Sequence, residues 1–341
     1  MRFLIVFCCA AIASVYSAHF SYEAYKVYQV YPSNQNDVLL LKQLENTLEV
    51  NIWSSLRFPG KPVDIMVEPN KQSKFEGVLK KHGLMYHVRV NNVEENVQKE
   101  RLMQARSAIS RKGRISFTSF NRMAEIDAYL NQISSQYPNL VQLETIGQSY
   151  EGRNLRVVKI STNPSANKPI IFIDAGIHAR EWIAPAQALY IIQELVENSA
   201  NIDLLNKVDW HILPVLNPDG YEYTHTSYRY WRKTVKPSGN GCMGTDGNRN
   251  YDFHWGGLAV SSAIVDAGGE EFTVGSSTNE MGPGAGGSDD WAMGVAGINL
   301  SYTVEMPGPD FVIPPDFILP YVTQMFAGVR VYGQYVADNY A

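Results

Sequence analysis

The chain has 341 residues, 45% of them hydrophobic and 18% charged, enough for two or three domains and an ample core. A net charge of −5 leaves no basic patch, which argues against a nucleic-acid partner. After residue 20 no apolar run approaches the length of a bilayer span, so no membrane partner is expected.

The first seventeen residues differ from the rest. Met1-Arg2 precedes an apolar core, Phe3 to Ala13, and small residues at Val15 and Ser17 suit cleavage after Ser17. This reads as a secretory signal, residues 1–17, and predicts a secreted, extracellular product. Cys8 and Cys9 leave with it. Cys242 then stands alone, an oddity in an oxidising compartment.

Tyr25 to Val30 alternates like a strand, and Asn36 to Leu48 has helical spacing. Val50 to Trp53 and Val63 to Val67 read as strands, Lys71 to His82 as a helix, and Met85 to Val90 as a strand. That β-α-β-β-α-β order is the ferredoxin-like motif. A charged helix, Val93 to Arg106, runs on into Ser110-Arg111-Lys112-Gly113-Arg114, a basic linker open to trypsin-like proteases.

Thr118 to Gln136 reads as an amphipathic helix capped by Thr118 or Ser119, followed by strands Leu140 to Thr145 and Leu155 to Ile160. Pro169 to Ala175 is a hydrophobic run that predicts a buried strand; a polar cluster and an apolar helix, Ala184 to Leu195, follow. Val208 to Val215 is another strand, and Asn217-Pro218-Asp219-Gly220 a turn signal. Ile298 to Met306 alternates as a strand, and Pro320 to Tyr340 closes the chain as a helix. The alternation predicts an α/β fold, a mixed sheet with helices on both faces.

In the polar cluster His178 and Glu181 stand three apart, so one helical turn points both the same way. Imidazole and carboxylate are ligands that zinc accepts, and Arg180 adds a fork suited to a carboxylate. The pair alone is a weak signal. The longer string Gly-Ile-His-Ala-Arg-Glu-Trp-Ile, residues 176–183, resembles the first metal-binding segment of the zinc carboxypeptidases, the family of pancreatic carboxypeptidases A and B.

That resemblance extends along most of the chain. Arg229-Tyr230-Trp231-Arg232-Lys233 resembles the family's R-x-W-R-K segment, which assigns Arg232 to polarising the scissile carbonyl. Asp246 to Asp252 resembles N-R-N-[WY]-D, which makes Asn248 and Arg249, with Arg180, holders of the substrate's terminal carboxylate. Ile298 to Met306 resembles the strand ending in the catalytic glutamate, here Glu305, the base for zinc-bound water. Asp289, just before Asp290-Trp291, falls at the family's side-chain pocket, where an acidic residue favours C-terminal Lys or Arg. The N-terminal block resembles the activation domain of procarboxypeptidases.

The resemblance implies a secreted, monomeric zinc proenzyme, closest to the insect digestive members, that removes C-terminal residues from peptides with a free C-terminus. Its partners would be those substrates and an activating trypsin-like protease, and its cofactor Zn²⁺. The implied organisation is signal 1–17, activation domain 18–109, cleavable linker 110–115, and catalytic domain 116–341.

The pattern breaks after Asp252. The family's third zinc ligand, a histidine in an H-S-[YF] string, is missing; His254 is in the wrong place, and the family's substrate-capping tyrosine falls on Gly282. The partner that the family pairs with Cys242 would lie in the same lost block. Gly256 to Gly287 is rich in Gly and Ser, with only Leu258 to Asp266 and Glu271 to Val274 ordered in character. These features imply an internal deletion near 257–265, from a splice variant or an incomplete gene model. Two rivals to an active enzyme follow: a non-catalytic protein that captures C-terminal carboxylates, and a truncated chain that does not fold stably.

Overall fold

The computed structural model describes residues 19–53, 59–111, 114–238, 241–249, 264–270, 287–298, 300–308 and 310–341. The expected signal, Lys112, His254 and Gly282 lie outside them.

The N-terminal unit runs β1 (Lys26–Tyr31), α1 (Gln35–Thr47), β2 (Asn51–Ile52), β3 (Val63–Val67), α2 (Gln72–Lys81) and β4 (Met85–Val90). Asn34 caps α1 by accepting the Asp37 N–H at 3.0 Å, a contact worth about 1 kcal/mol. The sheet order β2-β3-β1-β4 is antiparallel at every pairing, as the ferredoxin-like pattern requires. Both helices lay apolar residues on one face of it: Val38, Leu41 and Leu44 from α1, Phe75 and Leu79 from α2, meeting Tyr28, Val30, Val63 and Ile65. Helix α3, Val93–Arg111, leads out of this unit and runs five residues further than its periodicity predicts.

The C-terminal unit carries α4 (Met123–Gln136), β5 (Val141–Gln148), β6 (Asn154–Ile160), β7 (Ile170–Asp174), α5 (Ile183–Val196), α6 (Asp203–Asn206), β8 (Asp209–Leu213), α7 (Pro218–Thr226), a short helix Ser288–Gly294 and the closing helix Pro315–Asn339. Its sheet order is β5-β6-β8-β7, with β7 and β8 parallel and the other pairs antiparallel, so the sheet is mixed as expected. The register aligns Val141, Ile160, Trp210 and Ile171 across one face. Helices α4 and α5 and the closing helix bury their apolar sides with that row in one core.

Three expectations are corrected here. Asn217-Pro218-Asp219-Gly220 opens a helix instead of a turn: the Asn217 side chain accepts the Gly220 N–H at 3.1 Å and Pro218 sits at the first helical position. Strand β7 is not buried on both faces: Ile170 and Phe172, which share one face, are 55% and 52% exposed, while Ile171 on the other is buried in the core. The alternating run that ends at Met306 forms no strand: residues 300–308 are irregular, with Tyr302 and Val304 exposed, and Asn299 lies outside the description. Alternation needs a neighbouring strand to take up its N–H and C=O groups, and none is paired with it among the described residues.

Candidate metal centre and substrate cleft

The parallel pairing of β7 with β8 delivers the polar cluster to the carboxyl ends of both strands. Past Asp174 the Ala175 N–H still donates to Leu213 O at 3.1 Å, and Gly176 then turns the chain at φ +70°. A Cβ there would strain the backbone and press to 3.0 Å from Pro185. Residues 177–182 make the predicted turn, closed by Glu181 N–H to His178 O at 3.3 Å. Asn217 braces it from below, donating to Ile177 O and to Lys233 O at 3.3 and 3.0 Å, while the Ala179 N–H donates to Arg232 O at 3.0 Å. The helix cap, the metal segment and the arginine segment are thus tied at one point.

His178 is buried between two carboxylates. Its Nδ1 lies 3.0 Å from Glu181 Oε1, and its Nε2 lies 3.2 Å from Asp246 Oδ1. Asp246 in turn accepts from Arg232 Nε at 2.9 Å and from the Asn248 N–H at 3.0 Å. Segment 246–248 comes this close because residue 247 is glycine; a Cβ would stand 2.9 Å from Ile177 Cγ1. Burial works to lower the His178 pKa, but the bonds to Asp246 and Glu181 outweigh it and raise it. Burial likewise works to raise both carboxylates, yet His178 and the nearby arginines hold Glu181 low and Asp246 well below the ordinary range.

This arrangement fits a zinc ligand pair. A metal-binding histidine characteristically gives one ring nitrogen to a carboxylate, which fixes the other as the donor. Here Asp246 takes Nε2, so Nδ1 and the Glu181 carboxylate face the same point. Among the described residues no group of three His, Cys, Asp or Glu is placed to hold a metal. Asp246 cannot supply the third position while it engages the opposite edge of the ring.

The other expected site residues divide into two sets. Arg232, half-buried, joins the His178 network, its Nη1 3.6 Å from Glu181. Asn248 sits in the 3₁₀ turn Gly247–Arg249 and accepts the Ser288 N–H at 3.2 Å, which sets it beside the short helix carrying Asp289. The side chains of Arg249 and Asp289 lie outside the description. Arg180 turns away from this network: buried, it donates to Asn51 Oδ1 of β2 at 2.8 Å and lies 4.1 Å over the Phe311 ring. Burial, with Arg232 nearby, lowers its pKa to about 10. Glu305 is exposed in the irregular stretch, and the strand end expected to aim it is not formed. Asp246 is the contact of His178 that motif reading missed; as the first residue of the Asn248-Arg249 string it was legible as a carboxylate partner for that ring.

The pattern of the zinc carboxypeptidases matches residues 126–266 and 257–328, and that of the carboxypeptidase activation peptide matches 28–100. The chain belongs to the zinc carboxypeptidase family. Its fold is similar to carboxypeptidase A from Helicoverpa armigera, with a TM-score of 0.87 and 29% identity over 94% of this chain and all of that one. Carboxypeptidase B of Helicoverpa zea is 36% identical over 274 positions, 77% of this chain but 63% of its own length, so the chain spans less than two thirds of that relative. Carboxypeptidase B of Astacus astacus is 34% identical over 304 positions, all of that protein but 67% of this chain. Since 67% of 341 residues is about 228, roughly 76 of the 304 positions have no counterpart here, about half of a domain of common size. The family match also falls in two stretches that overlap at 257–266.

Proposed function

We propose that this is a secreted procarboxypeptidase that has lost an internal block near 257–265, with signal 1–17, activation domain 18–109, linker 110–115 and catalytic domain 116–341. His178 and Glu181 would hold zinc, and Asp246 would orient His178. Zinc, when bound, lowers the pKa of its water to about 7 and polarises a carbonyl. Arg232 would stabilise negative charge on the carbonyl oxygen of the last peptide bond, and Glu305 would take the proton of the attacking water. Asn248 and Arg249 would hold the terminal carboxylate, with Arg180 available once Asn51 withdraws. The observation that supports this reading best is the His178 ring held between Glu181 and Asp246.

Among the described residues the chain offers two of the three ligands that a catalytic zinc site uses, and we infer that it does not turn over substrate. The test is release of the C-terminal residue from a peptide by this chain and by a form with the block restored. Activity in the restored form alone supports the proposal; equal activity in both overturns the inactivity. The same assay addresses specificity, because Asp289 would give substrates ending in Arg the advantage. Faster release of C-terminal Phe would show that Asp289 is neutralised within the protein. Sequencing the transcript between the codons for Gly257 and Ala259 separates a splice variant from an incomplete gene model.

A further inference from the structure

The N-terminal unit is fastened to the catalytic part by more than the linker. Glu100 on α3 and Arg229, only 5% and 1% exposed, form a two-point ion pair: Nη2 to Oε1 at 3.0 Å, and Nε to Oε2. Arg229 also donates to Arg180 O at 2.9 Å and to Phe311 O, and its guanidinium lies 3.7 Å over the Trp182 ring. Burial works to lower the Arg229 pKa and Glu100 more than offsets it, whereas at Glu100 burial outweighs Arg229 and raises the carboxyl; the two-point geometry is what marks the contact as an ion pair. A second pair crosses the surface in the opposite sense, Arg89 of β4 to Asp310 at 3.4 Å. Around both, Trp53 stacks on Tyr230, Tyr22 meets Tyr230 edge-on, Phe20 packs tilted on Tyr228, and the Tyr230 N–H donates to the Tyr22 hydroxyl at 3.1 Å.

A buried ion pair adds little net attraction, because both charges regain water on separation. Removing one partner is different, since it leaves the other buried and uncompensated. The aromatic surface can stay closed over Arg229 only while a carboxylate neutralises it. We propose that Glu100 is the latch of the activation domain: its pairing with Arg229 keeps the domain seated over the cleft after the linker has been cut. The inference rests on the proenzyme reading.

The experiment is limited trypsin cleavage of the full chain followed by gel filtration. The cut wild-type fragments are expected to elute together, and those of Glu100→Gln to separate, with a dissociation constant raised about a hundredfold. Separation of the wild-type fragments on cutting, or undiminished retention in Glu100→Gln, would overturn the latch. If Glu100→Gln does not fold, Glu100→Asp keeps the charge on a shorter arm and is expected to weaken retention about tenfold; unchanged retention there overturns it equally. Failure of trypsin to cut at Arg111, Lys112 or Arg114 would count against the proenzyme reading and remove the latch with it.

Discussion

Asp246 and His178 form the contact on which the metal segment depends: Oδ1 lies 3.2 Å from Nε2, which leaves Nδ1 directed at Glu181. Sequence spacing brings His178 and Glu181 together, but only this contact, across 68 residues, decides which ring nitrogen faces a ligand.

Zinc binding by this chain is expected to be weak, because two protein ligands leave the ion exposed. Equilibrium dialysis should find no stoichiometric zinc at low metal concentration. Asp246→Asn should weaken what remains by a further tenfold or so, since partners of this kind are worth about 10–100-fold in metal affinity. Tight stoichiometric binding by the wild type would show that another residue completes the site.

Trypsin should cut first after Arg114. Arg111 ends α3 with its guanidinium bound to Asn121 Oδ1 at 2.7 Å and near Glu125, whereas Arg114 is exposed. Mass spectrometry of the first fragments tests this, and Arg114→Gln should slow the cut. Early cuts within 123–226 would mean that the catalytic half is the looser part.

Stability should fall as the pH drops below 6.5. His225 is partly buried and stacks at 3.8 Å on Trp182; burial, with Arg122 and Arg229 nearby, holds its pKa well below the ordinary value of 6.5. The unfolded chain therefore takes up a proton that the folded chain refuses, so the stabilisation is complete above 6.5 and is lost toward acid. Thermal midpoints should decline less on acidification in His225→Phe than in the wild type; parallel curves would exclude this histidine as the source.

Gly333 of the closing helix should not tolerate a side chain. A Cβ there would lie 2.7 Å from Trp210, which is fully buried in the sheet face. Gly333→Val is expected to cost about 1–3 kcal/mol by overpacking, read as a lower denaturant midpoint.

Local pattern and long-range contact divided what could be read in advance. Alternation and helical spacing located nearly every element of the N-terminal unit, because its helices are amphipathic and its strands are short runs rich in β-branched and aromatic residues. Asn217-Pro218 was ambiguous, since the residues that make turns also cap helices. The run ending at Glu305 reads as a strand, and pattern alone could not reveal that no described strand pairs with it. Arg180 reads as a substrate residue, yet its hold on Asn51 joins positions 129 apart and leaves no local trace.

The sheet edge at β7 bears on the fate of the chain in a cell. Among the described residues β7 is paired along one edge only, by β8, and its Ile170 and Phe172 are exposed; a strand edge left uncovered is a template for pairing with other chains. Folding in a cell takes place at high protein concentration, where such an edge invites chaperone capture and self-association. Colloidal behaviour would then limit the yield of this protein before its chemistry was ever called upon, and light scattering of the purified chain would report it directly.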